Sequence, residues 1–426
     1  MTDIKNNMTA SKMYERSISL PRGTLDLTYQ TNFSGDSKNY ELEDLLGFAQ
    51  RINPKRAFLF VSKVLGRHIP VAPGTMRHAF TDLANLVPDD LPEPILVIGM
   101  AETAVGLSAG VHQALQTRYP NALLLNSTRH AQHNDDNTET LLTTFSEDHS
   151  HASQHLIYQS ADTVTQAQLL ASKTLIMVDD EASTGNTCVN VVTALRNAGL
   201  TELEQVHLTT LVDWSLSQNQ SDSAEDTIAI RLPNIDFHRH HLLSGAWQWT
   251  DATNPESITM PSVDTTEAGS YALGDTGNWG RFPTLDSTDG FAFYLTKFQA
   301  AFNLFNQQAQ SEKASFEKEQ LPQRILVLGS NEFVWLPFLL AEWLETQTQN
   351  ATVKFSALTR SPIALGGAIT TMLSFSDNYG LGMTNFAYNV EPSDWDLIVL
   401  CVETSADSVD EMWKDLDNVL VMSPTL

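Results

Sequence analysis

Unbroken runs of apolar residues recur along the chain and predict buried β-strands. A strand that is covered on both faces gives a continuous apolar run, because both of its rows of side chains are buried. Several of these runs lead directly into residues with helical spacing, as in βαβ units. The pattern therefore predicts an α/β fold with parallel strands. The runs occur at residues 95–99, 123–130, 174–178, 206–212, 324–330, 353–358 and 395–401.

Helical spacing of apolar residues is found between and around these strands. It occurs at residues 41–51, 58–65, 105–119, 188–199, 291–317 and 331–344. Ser330 is expected to cap the last of these helices. Alternate apolar positions at residues 18–29 instead predict a strand or a hairpin. Short strands are predicted at residues 228–231 and 235–237, on either side of Pro233.

A stretch rich in Thr, Ser, Asp, Gly and Pro interrupts this pattern at residues 251–289 and predicts a linker. It separates a first domain at residues 18–250 from a second domain at residues 290–426. Residues 1–17 are polar and are expected to form a loose N terminus. A chain of 426 residues is long enough to bury a core in each of two domains.

The net charge and the cysteine content limit which binding partners and which cell compartment are expected. Lys and Arg number 25 against 51 Asp and Glu, so the net charge is −26. A chain this acidic is not expected to bind nucleic acid or an anionic membrane, and a polyanionic substrate would need Mg²⁺ or a few placed cations. Cys188 and Cys401 lie far apart and form no disulfide framework. With no apolar signal peptide or membrane span evident, a cytoplasmic protein is predicted.

The strand at residues 174–178 is followed by a motif with clear chemical uses. Asp179 and Asp180 come where the strand should end, and carboxylates can accept hydrogen bonds from sugar hydroxyls or hold Mg²⁺. A loop of this kind can turn backbone N–H groups and hydroxyls onto one phosphate, and the helix behind it adds partial positive charge. Ligands of open parallel sheets bind at this end of the strands. The loop residues are Ala182, Ser183, Thr184, Gly185, Asn186 and Thr187.

Residues 175–187 resemble, position by position, the phosphoribosyl pyrophosphate (PRPP) signature of type I phosphoribosyltransferases. The resemblance implies the fold of that family, a parallel sheet flanked by helices with a hood. It implies that residues 182–187 bind the 5-phosphate of PRPP. Asp179 and Asp180 would be catalytic residues that hold the ribose hydroxyls and, mostly through PRPP, Mg²⁺. The alternative is a strand, turn and helix with an acidic turn of no special use.

Two further segments resemble the pyrophosphate-binding parts of the same family. Residues 99–106 follow a buried strand, where the family has a loop that binds pyrophosphate with backbone amides. Arg129 lies at the end of the strand at residues 123–130, where the family has a cation that contacts pyrophosphate, and it is also predicted to be catalytic. The pyrophosphate-binding residues that the resemblance implies are Met100, Ala101, Glu102, Thr103 and Arg129.

Two other segments resemble a narrower family. Residues 53–71 resemble phosphoribosyltransferase-like proteins that are encoded in tellurite-resistance gene clusters. The tetrapeptide Thr359, Arg360, Ser361 and Pro362 resembles the motif of the TRSP domain, which follows the phosphoribosyltransferase domain in those proteins. The second domain is therefore expected to be an α/β TRSP domain. Its Thr359, Arg360 and Ser361, at a strand end, could bind an anionic group.

Residues 131–155 are polar and rich in histidine, and three alternatives are open for them. The family has a mobile loop here that closes over the substrate and would exclude water from the transition state, and its histidines could act as general acids and bases or bind phosphate. His149, His151 and His155 could instead bind a metal ion. Surface histidines with no role are the third alternative. His133 lies in the same stretch.

Several other side chains have both a functional and a structural interpretation. Lys63 and Arg67 are four residues apart and could face a phosphate, or they could be solvated charges on a helix. Trp247 and Trp249 could stack on a nucleobase, or they could pack in the core. Arg281 is one of few cations in its region and could reach the anionic site.

Taken together, the resemblance implies a phosphoribosyltransferase with a C-terminal TRSP domain. The expected reaction is displacement of pyrophosphate from C1 of PRPP by a nucleobase-like nitrogen nucleophile, with Mg²⁺ as cofactor. The expected product is a nucleoside-like compound linked to tellurite or stress resistance. The expected partners are PRPP and a base-like acceptor, without nucleic acid or membrane; a homodimer and a complex with products of neighbouring genes are open. A non-catalytic PRPP-binding regulatory protein is the alternative, and a separate activity of the TRSP domain is a third possibility.

Overall fold

The computed structural model describes residues 13–31, 40–51, 56–130, 141–146, 154–215, 226–254, 276–312, 322–348 and 350–425. In these ranges the strands are β1 (Tyr14–Leu20), β2 (Gly23–Thr31), β3 (Leu46–Gln50), β4 (Phe58–Ser62), β5 (Ile95–Gly99), β6 (Leu123–Asn126), β7 (Leu141–Ser146), β8 (Gln154–Tyr158), β9 (Thr174–Ala182), β10 (Gln205–Asp213), β11 (Asp236–Asp251), β12 (Arg324–Ser330), β13 (Thr352–Leu358), β14 (Met372–Ser376), β15 (Thr384–Tyr388), β16 (Leu397–Cys401) and β17 (Val419–Met422). The helices are α1 (Leu42–Leu45), α2 (Pro73–Asn85), α3 (Val105–Leu115), α4 (Thr163–Leu170), α5 (Asn186–Asn197), α6 (Thr227–Arg231), α7 (Phe291–Glu312), α8 (Trp335–Gln347) and α9 (Glu411–Lys414).

The N-terminal domain is built on a sheet with the strand order β1-β2-β11-β10-β9-β5-β6. Strands β6, β5, β9, β10 and β11 run parallel, and the β1–β2 hairpin is added antiparallel to the end of β11. All five residues of β5 and the first five of β9 are buried, as their unbroken apolar runs predict. The predicted α/β fold with a parallel sheet is therefore confirmed, and its strands end on one common edge.

The C-terminal domain has its own parallel sheet, with the order β13-β12-β16-β17. Helix α8 connects β12 to β13, and the antiparallel hairpin β14–β15 lies beside β13. Strands β12 and β16 pair in parallel, with Ile325 opposite Leu397. With α8 between β12 and β13, the domain is a second strand-and-helix unit. This agrees with the predicted α/β C-terminal domain.

The two domains share one apolar core and several backbone hydrogen bonds. A single cluster of buried side chains extends from Leu25 on β2 to Met422 on β17. Val71 and Phe355 on β13 exchange backbone hydrogen bonds of 2.9 and 2.8 Å. On a more exposed part of the junction, Arg77 on α2 forms a bidentate ion pair of 2.7 Å with Glu342 on α8. The C-terminal domain is therefore in direct contact with the N-terminal one.

Part of the predicted linker lies against the N-terminal sheet. Residues 251–254 continue from β11, and residues 255–275 fall outside the described residues. Gly280 and Thr284 accept backbone hydrogen bonds of 2.7 and 2.8 Å from Asn126 and Leu124 on β6. The connection is thus attached to the edge strand of the sheet just before α7 begins.

The helices predicted at residues 41–51 and 58–65 are wrong. Only α1 is helical there, and the rest forms the antiparallel hairpin of β3 and β4. The reason is tertiary: Ala49 and Val61 pack against Ile363 of the other domain, and a helix could not present the alternating face that this packing uses.

Two smaller predictions about local structure are also wrong. Residues predicted as a short strand at 228–231 lie in α6, because the side chain of Asp226 accepts a hydrogen bond of 2.8 Å from the N–H of Ile228 and caps a helical turn. Ser330 does not cap α8, since its hydroxyl donates to Asn378 (2.6 Å) and the helix begins at Trp335.

Candidate active site

A cleft of about 390 Å³ lies where the carboxyl ends of β5, β9 and β13 meet. Both domains contribute to it. All residues predicted for the acidic pair, the phosphate loop, the pyrophosphate-binding segments and the TRSP motif line this cleft: Met100, Ala101, Glu102, Thr103, Arg129, Asp179, Asp180, Ala182, Ser183, Thr184, Gly185, Asn186, Thr187, Thr359, Arg360, Ser361 and Pro362. The structure thus brings four separate segments of the chain to one place.

The loop after β9 turns sharply at Gly185. Its φ is +73°, and an added Cβ would collide with the side chain of Ile228. Glycine adopts this left-handed backbone conformation at little cost because it has no side chain. Helix α5 begins at the next residue, Asn186, whose N–H donates to the hydroxyl of Thr184 (3.3 Å). The loop therefore directs the N-terminus of a helix toward the cleft, as an anion site requires.

The acidic pair lies between this loop and the loop after β5. The N–H of Asp180 donates to Oδ1 of Asp179 (3.0 Å), and the hydroxyl of Thr103 donates to Oδ1 of Asp180 (3.1 Å). Burial and the neighbouring charge of Glu181 raise the pKa of Asp180 to about 6. A carboxylate whose ionised form is disfavoured in this way gains from a ligand that donates hydrogen bonds or carries positive charge.

The hairpin of β3 and β4 adds one cation, Arg51, and apolar groups to the cleft wall. Arg56 forms a bidentate pair with Glu181, with distances of 2.7 and 3.2 Å. Arg51 lines the cleft beside it, and burial followed by the charge of Arg56 lowers the pKa of Arg51. Leu59 and Phe60 add an apolar surface. The sequence pattern does not predict Arg51, Leu59 and Phe60 for the site, because it assigns their segments to helices.

The loop after β5 is held through both its backbone and Glu102. The N–H of Ala101 donates to the hydroxyl of Ser127 (3.0 Å). The carboxylate of Glu102 is buried and accepts hydrogen bonds from Arg67 and from Arg360 of the C-terminal domain. Burial opposes its ionisation, but the charges of the two arginines prevail and lower the pKa of Glu102 to about 2.

Arg129 is positioned by a buried histidine and by the C-terminal domain. Its Nη2 lies 3.4 Å from Nε2 of His155, and Nδ1 of that ring lies 2.9 Å from the hydroxyl of Ser127. Since a guanidinium only donates, Nε2 of His155 is the acceptor and Nδ1 carries the proton. The backbone N–H of Arg129 donates to Glu332 (2.8 Å), which also accepts from Thr128 (2.5 Å).

His155 is therefore a buried residue of β8 that contacts Ser127 and, on the cleft wall, Arg129. This differs from the surface and metal-binding interpretations given for the histidine-rich stretch. His133, His149 and His151 lie outside the described residues, so those parts of the prediction remain untested.

Other candidates from the sequence have structural roles. Lys63 donates to the backbone of Glu43 at an exposed position (2.8 Å), whereas Arg67 is buried and lines the cleft. Trp247 and Trp249 pack on Phe58, with ring centroids 4.9 and 5.4 Å apart, and neither lines the cleft. The packing interpretation of the two tryptophans is thus the one that the structure supports.

Arg281 also does not reach the cleft. It pairs with Glu403 in the C-terminal domain and lies over the ring of Trp279. Two further cleft residues, His68 and Met383, had no signal in the sequence. Burial and the adjacent Arg67 lower the pKa of His68 to about 3, so its imidazole is neutral near pH 7.

The side chains of the cleft can hold Mg²⁺ only together with a ligand that supplies further oxygen atoms. Among the described residues, no group of three or more His, Cys, Asp or Glu side chains is placed to hold a metal ion. Asp179 and Asp180 offer two carboxylates at the mouth of the phosphate loop. Mg²⁺ in proteins commonly takes one or two carboxylates and completes its shell with phosphate oxygens and water. The residues present fit that arrangement with a phosphorylated substrate.

Within the described ranges, no helix has the length and apolar character needed to span a membrane.

Comparisons with known proteins identify both halves of the chain. Residues 45–245 match the family described as phosphoribosyl transferase, and residues 297–419 match the TRSP domain, described as lying C-terminal to it. The comparison with curated proteins gave no match. The solved structures that match include adenine phosphoribosyl transferase from Trypanosoma brucei in complex with AMP, pyrophosphate and ribose-5-phosphate. That structure is 13% identical, with 54% of this chain and 86% of that chain covered and a TM-score of 0.33.

Proposed function

Because the chain belongs to the phosphoribosyl transferase family and carries the TRSP domain C-terminal to it, we propose that it transfers phosphoribosyl from PRPP to an acceptor. The acceptor is a nitrogen nucleophile of the nucleobase type, and pyrophosphate is the product released with it. The observation that carries this proposal is the placement of the Asp179–Asp180 pair between two anion-binding loops in one cleft. PRPP has this same order of groups: phosphate, ribose with two hydroxyls, and diphosphate.

In the proposed complex each loop binds one end of PRPP. The backbone N–H groups of residues 183–187 and the N-terminus of α5 bind the 5-phosphate. Asp179 and Asp180 accept hydrogen bonds from the ribose hydroxyls, which fixes the sugar with C1 toward the acceptor. Residues 100–103 and Arg129 bind the diphosphate, whose negative charge grows as the bond to C1 breaks.

Catalysis in this proposal comes from positioning and electrostatics. The carboxylates beside the ribose stabilise the positive charge that develops on the sugar ring. Asp179 and Asp180 would also hold Mg²⁺ together with PRPP, and the ion would offset charge on the departing pyrophosphate. No covalent intermediate with a side chain is needed.

The proposed biological setting has less support than the proposed chemistry. Synthesis of a nucleoside-like compound in tellurite or stress resistance rests on the resemblance of residues 53–71 and 359–362 alone. The same holds for a homodimer or a complex with products of neighbouring genes, and for location in the cytoplasm.

The direct test is pyrophosphate release from PRPP and Mg²⁺ in the presence of a panel of nucleobases and base-like heterocycles. Release that depends on one acceptor supports the proposal, and mass spectrometry of the product identifies the new N-glycosidic bond. Thermal stabilisation by PRPP with no release from any acceptor would instead support a non-catalytic PRPP-binding regulator. If PRPP causes neither thermal stabilisation nor pyrophosphate release, the result contradicts both the enzyme and the regulator.

A further inference from the structure

The motif of the C-terminal domain reaches the cleft through Arg360. Thr359 directly follows β13, and its hydroxyl accepts a hydrogen bond of 3.1 Å from the N–H of Ser361. This turn directs Arg360 between the two domains. Its Nε donates to Oε1 of Glu102 (2.9 Å), and its Nη2 donates to the same oxygen. A residue of the second domain is thus bonded to the loop that follows β5.

Glu102 is shared by one arginine from each domain. Arg67 binds the other carboxylate oxygen, Oε2, and its Nη1 donates to the backbone oxygen of Asn331 (2.7 Å). The side chains of Glu102, Arg67 and Arg360 are each less than a tenth exposed. The charges of Arg129 and Glu332 also act on this group, so three guanidinium groups and two carboxylates together leave a net charge of +1.

Arg360 is placed to bring this excess positive charge to an anionic ligand. Its Nη1 lies 3.7 Å from the sulfur of Met383, which is a weak acceptor, while Nε and Nη2 are directed at Glu102. The remaining hydrogen-bonding capacity of the guanidinium is therefore on Nη1 and on the second hydrogen of Nη2, and Arg360 lines the cleft. Planar guanidinium groups bind phosphate oxygens strongly when they are held in place, and Glu102 holds this one.

We propose that Arg360 binds the diphosphate of PRPP, so that the C-terminal domain completes the active site of the N-terminal one. Glu102 and Arg67 then act as positioning residues, because they orient Arg360 and balance its charge. This inference rests on the proposed function. It assigns the TRSP motif to the same cleft rather than to a separate activity.

The test uses the full-length chain and three ligands measured by isothermal titration calorimetry: PRPP, pyrophosphate and ribose 5-phosphate, each with Mg²⁺. Arg360→Gln should weaken binding of PRPP and pyrophosphate about 10- to 100-fold, since a charge-assisted hydrogen bond to a phosphate is lost. Binding of ribose 5-phosphate, which has no diphosphate, should stay unchanged. Arg360→Lys keeps the charge without the planar fork and should fall between the wild type and the glutamine variant.

Arg77→Gln is the matched control, because it breaks another guanidinium–carboxylate pair between the domains without touching the cleft. It should bind all three ligands like the wild type. Equal weakening of all three ligands by Arg360→Gln, or unchanged PRPP binding in that variant, would overturn the inference while leaving the proposed function intact. A wild-type chain that binds no PRPP would overturn the proposed function itself and this inference with it.

Discussion

The hydroxyl of Thr103 donates a hydrogen bond of 3.1 Å to the carboxylate of Asp180. Thr103 lies in the loop after β5, and Asp180 lies near the end of the adjacent strand β9. The bond joins the segment proposed to bind diphosphate to the carboxylate proposed to bind ribose. It also fixes the orientation of that carboxylate, which is what a site based on positioning needs.

Asp180→Asn should keep the fold and lose most PRPP turnover. The amide retains an oxygen that can accept from Thr103, but it has no negative charge to place beside the sugar. Loss of one such electrostatic contact typically lowers kcat roughly 10²- to 10³-fold. Pyrophosphate release under saturating PRPP and acceptor measures the effect, and near-normal release would count against the role given to Asp180.

The same variant should change how stability depends on pH. The pKa of Asp180 is about 6 in the folded chain and near 3.8 in a free side chain, so the folded state loses stability as pH rises through 6. The amide does not titrate. The free energy of unfolding of Asp180→Asn, relative to the wild type, should therefore rise by about 2 kcal/mol between pH 4 and pH 8. Urea unfolding at both values measures this, and a difference that does not vary with pH would contradict the assigned pKa.

Gly185→Ala should lower both stability and PRPP affinity. The left-handed backbone and the collision with Ile228 together cost roughly 1–3 kcal/mol. Relief of that strain would shift the phosphate loop. Gly74→Ala on α2 is the control, because Gly74 does not line the cleft and an added Cβ there meets only the carboxylate of Glu345, at 3.4 Å, so stability should change little. Thermal unfolding and PRPP titration of both variants give the comparison, and equal behaviour of the two would refute the argument.

His155→Phe should impair PRPP use more than it impairs folding. The ring of His155 stacks on Phe145 with centroids 4.6 Å apart, so phenylalanine keeps the packing and removes the bonds to Arg129 and Ser127. Without this acceptor Arg129 is less well oriented, and kcat/KM for PRPP should fall roughly 10-fold. Phe145→Leu removes the stacking partner but keeps both nitrogens of His155, and should lower stability with little change in kcat/KM. The reverse pattern would show that the histidine has only a packing role.

Both cysteines should be unreactive in the folded chain. Cys188 and Cys401 are buried, and burial raises the pKa of each thiol to about 12. Because the thiolate is the reactive form, a thiol reagent such as DTNB at pH 8 should label neither in native protein and both after denaturation. Rapid labelling of Cys188, which lines the cleft, would mean that the cleft opens much further than the structure shows.

The segment around the acidic pair was predictable because its structure depends on near neighbours. A strand buried on both faces, two aspartates and a loop of small residues follow one another within residues 174–187, and each feature has a local physical cause. The glycine that permits the turn is part of the same segment. Sequence alone therefore predicts the strand, the loop and the start of the helix in this segment correctly.

The hairpin of β3 and β4 and the contacts between the two domains were not predictable in the same way. The extended form of β3 and β4 depends on Trp247 and Ile363, which lie far away in the chain. Glu102 and Arg360 were each predicted to line a site, but the pairing of the two across 258 positions has no local signature. Tertiary packing decides such features, and apolar spacing within a short window does not report it.

A crystal structure of the chain with PRPP and Mg²⁺ tests the central claim most directly. The account predicts the 5-phosphate within hydrogen-bond distance of the backbone N–H groups of residues 184–187, and the ribose hydroxyls on Asp179 and Asp180. PRPP bound outside this cleft, or bound with its ribose away from both carboxylates, would contradict it.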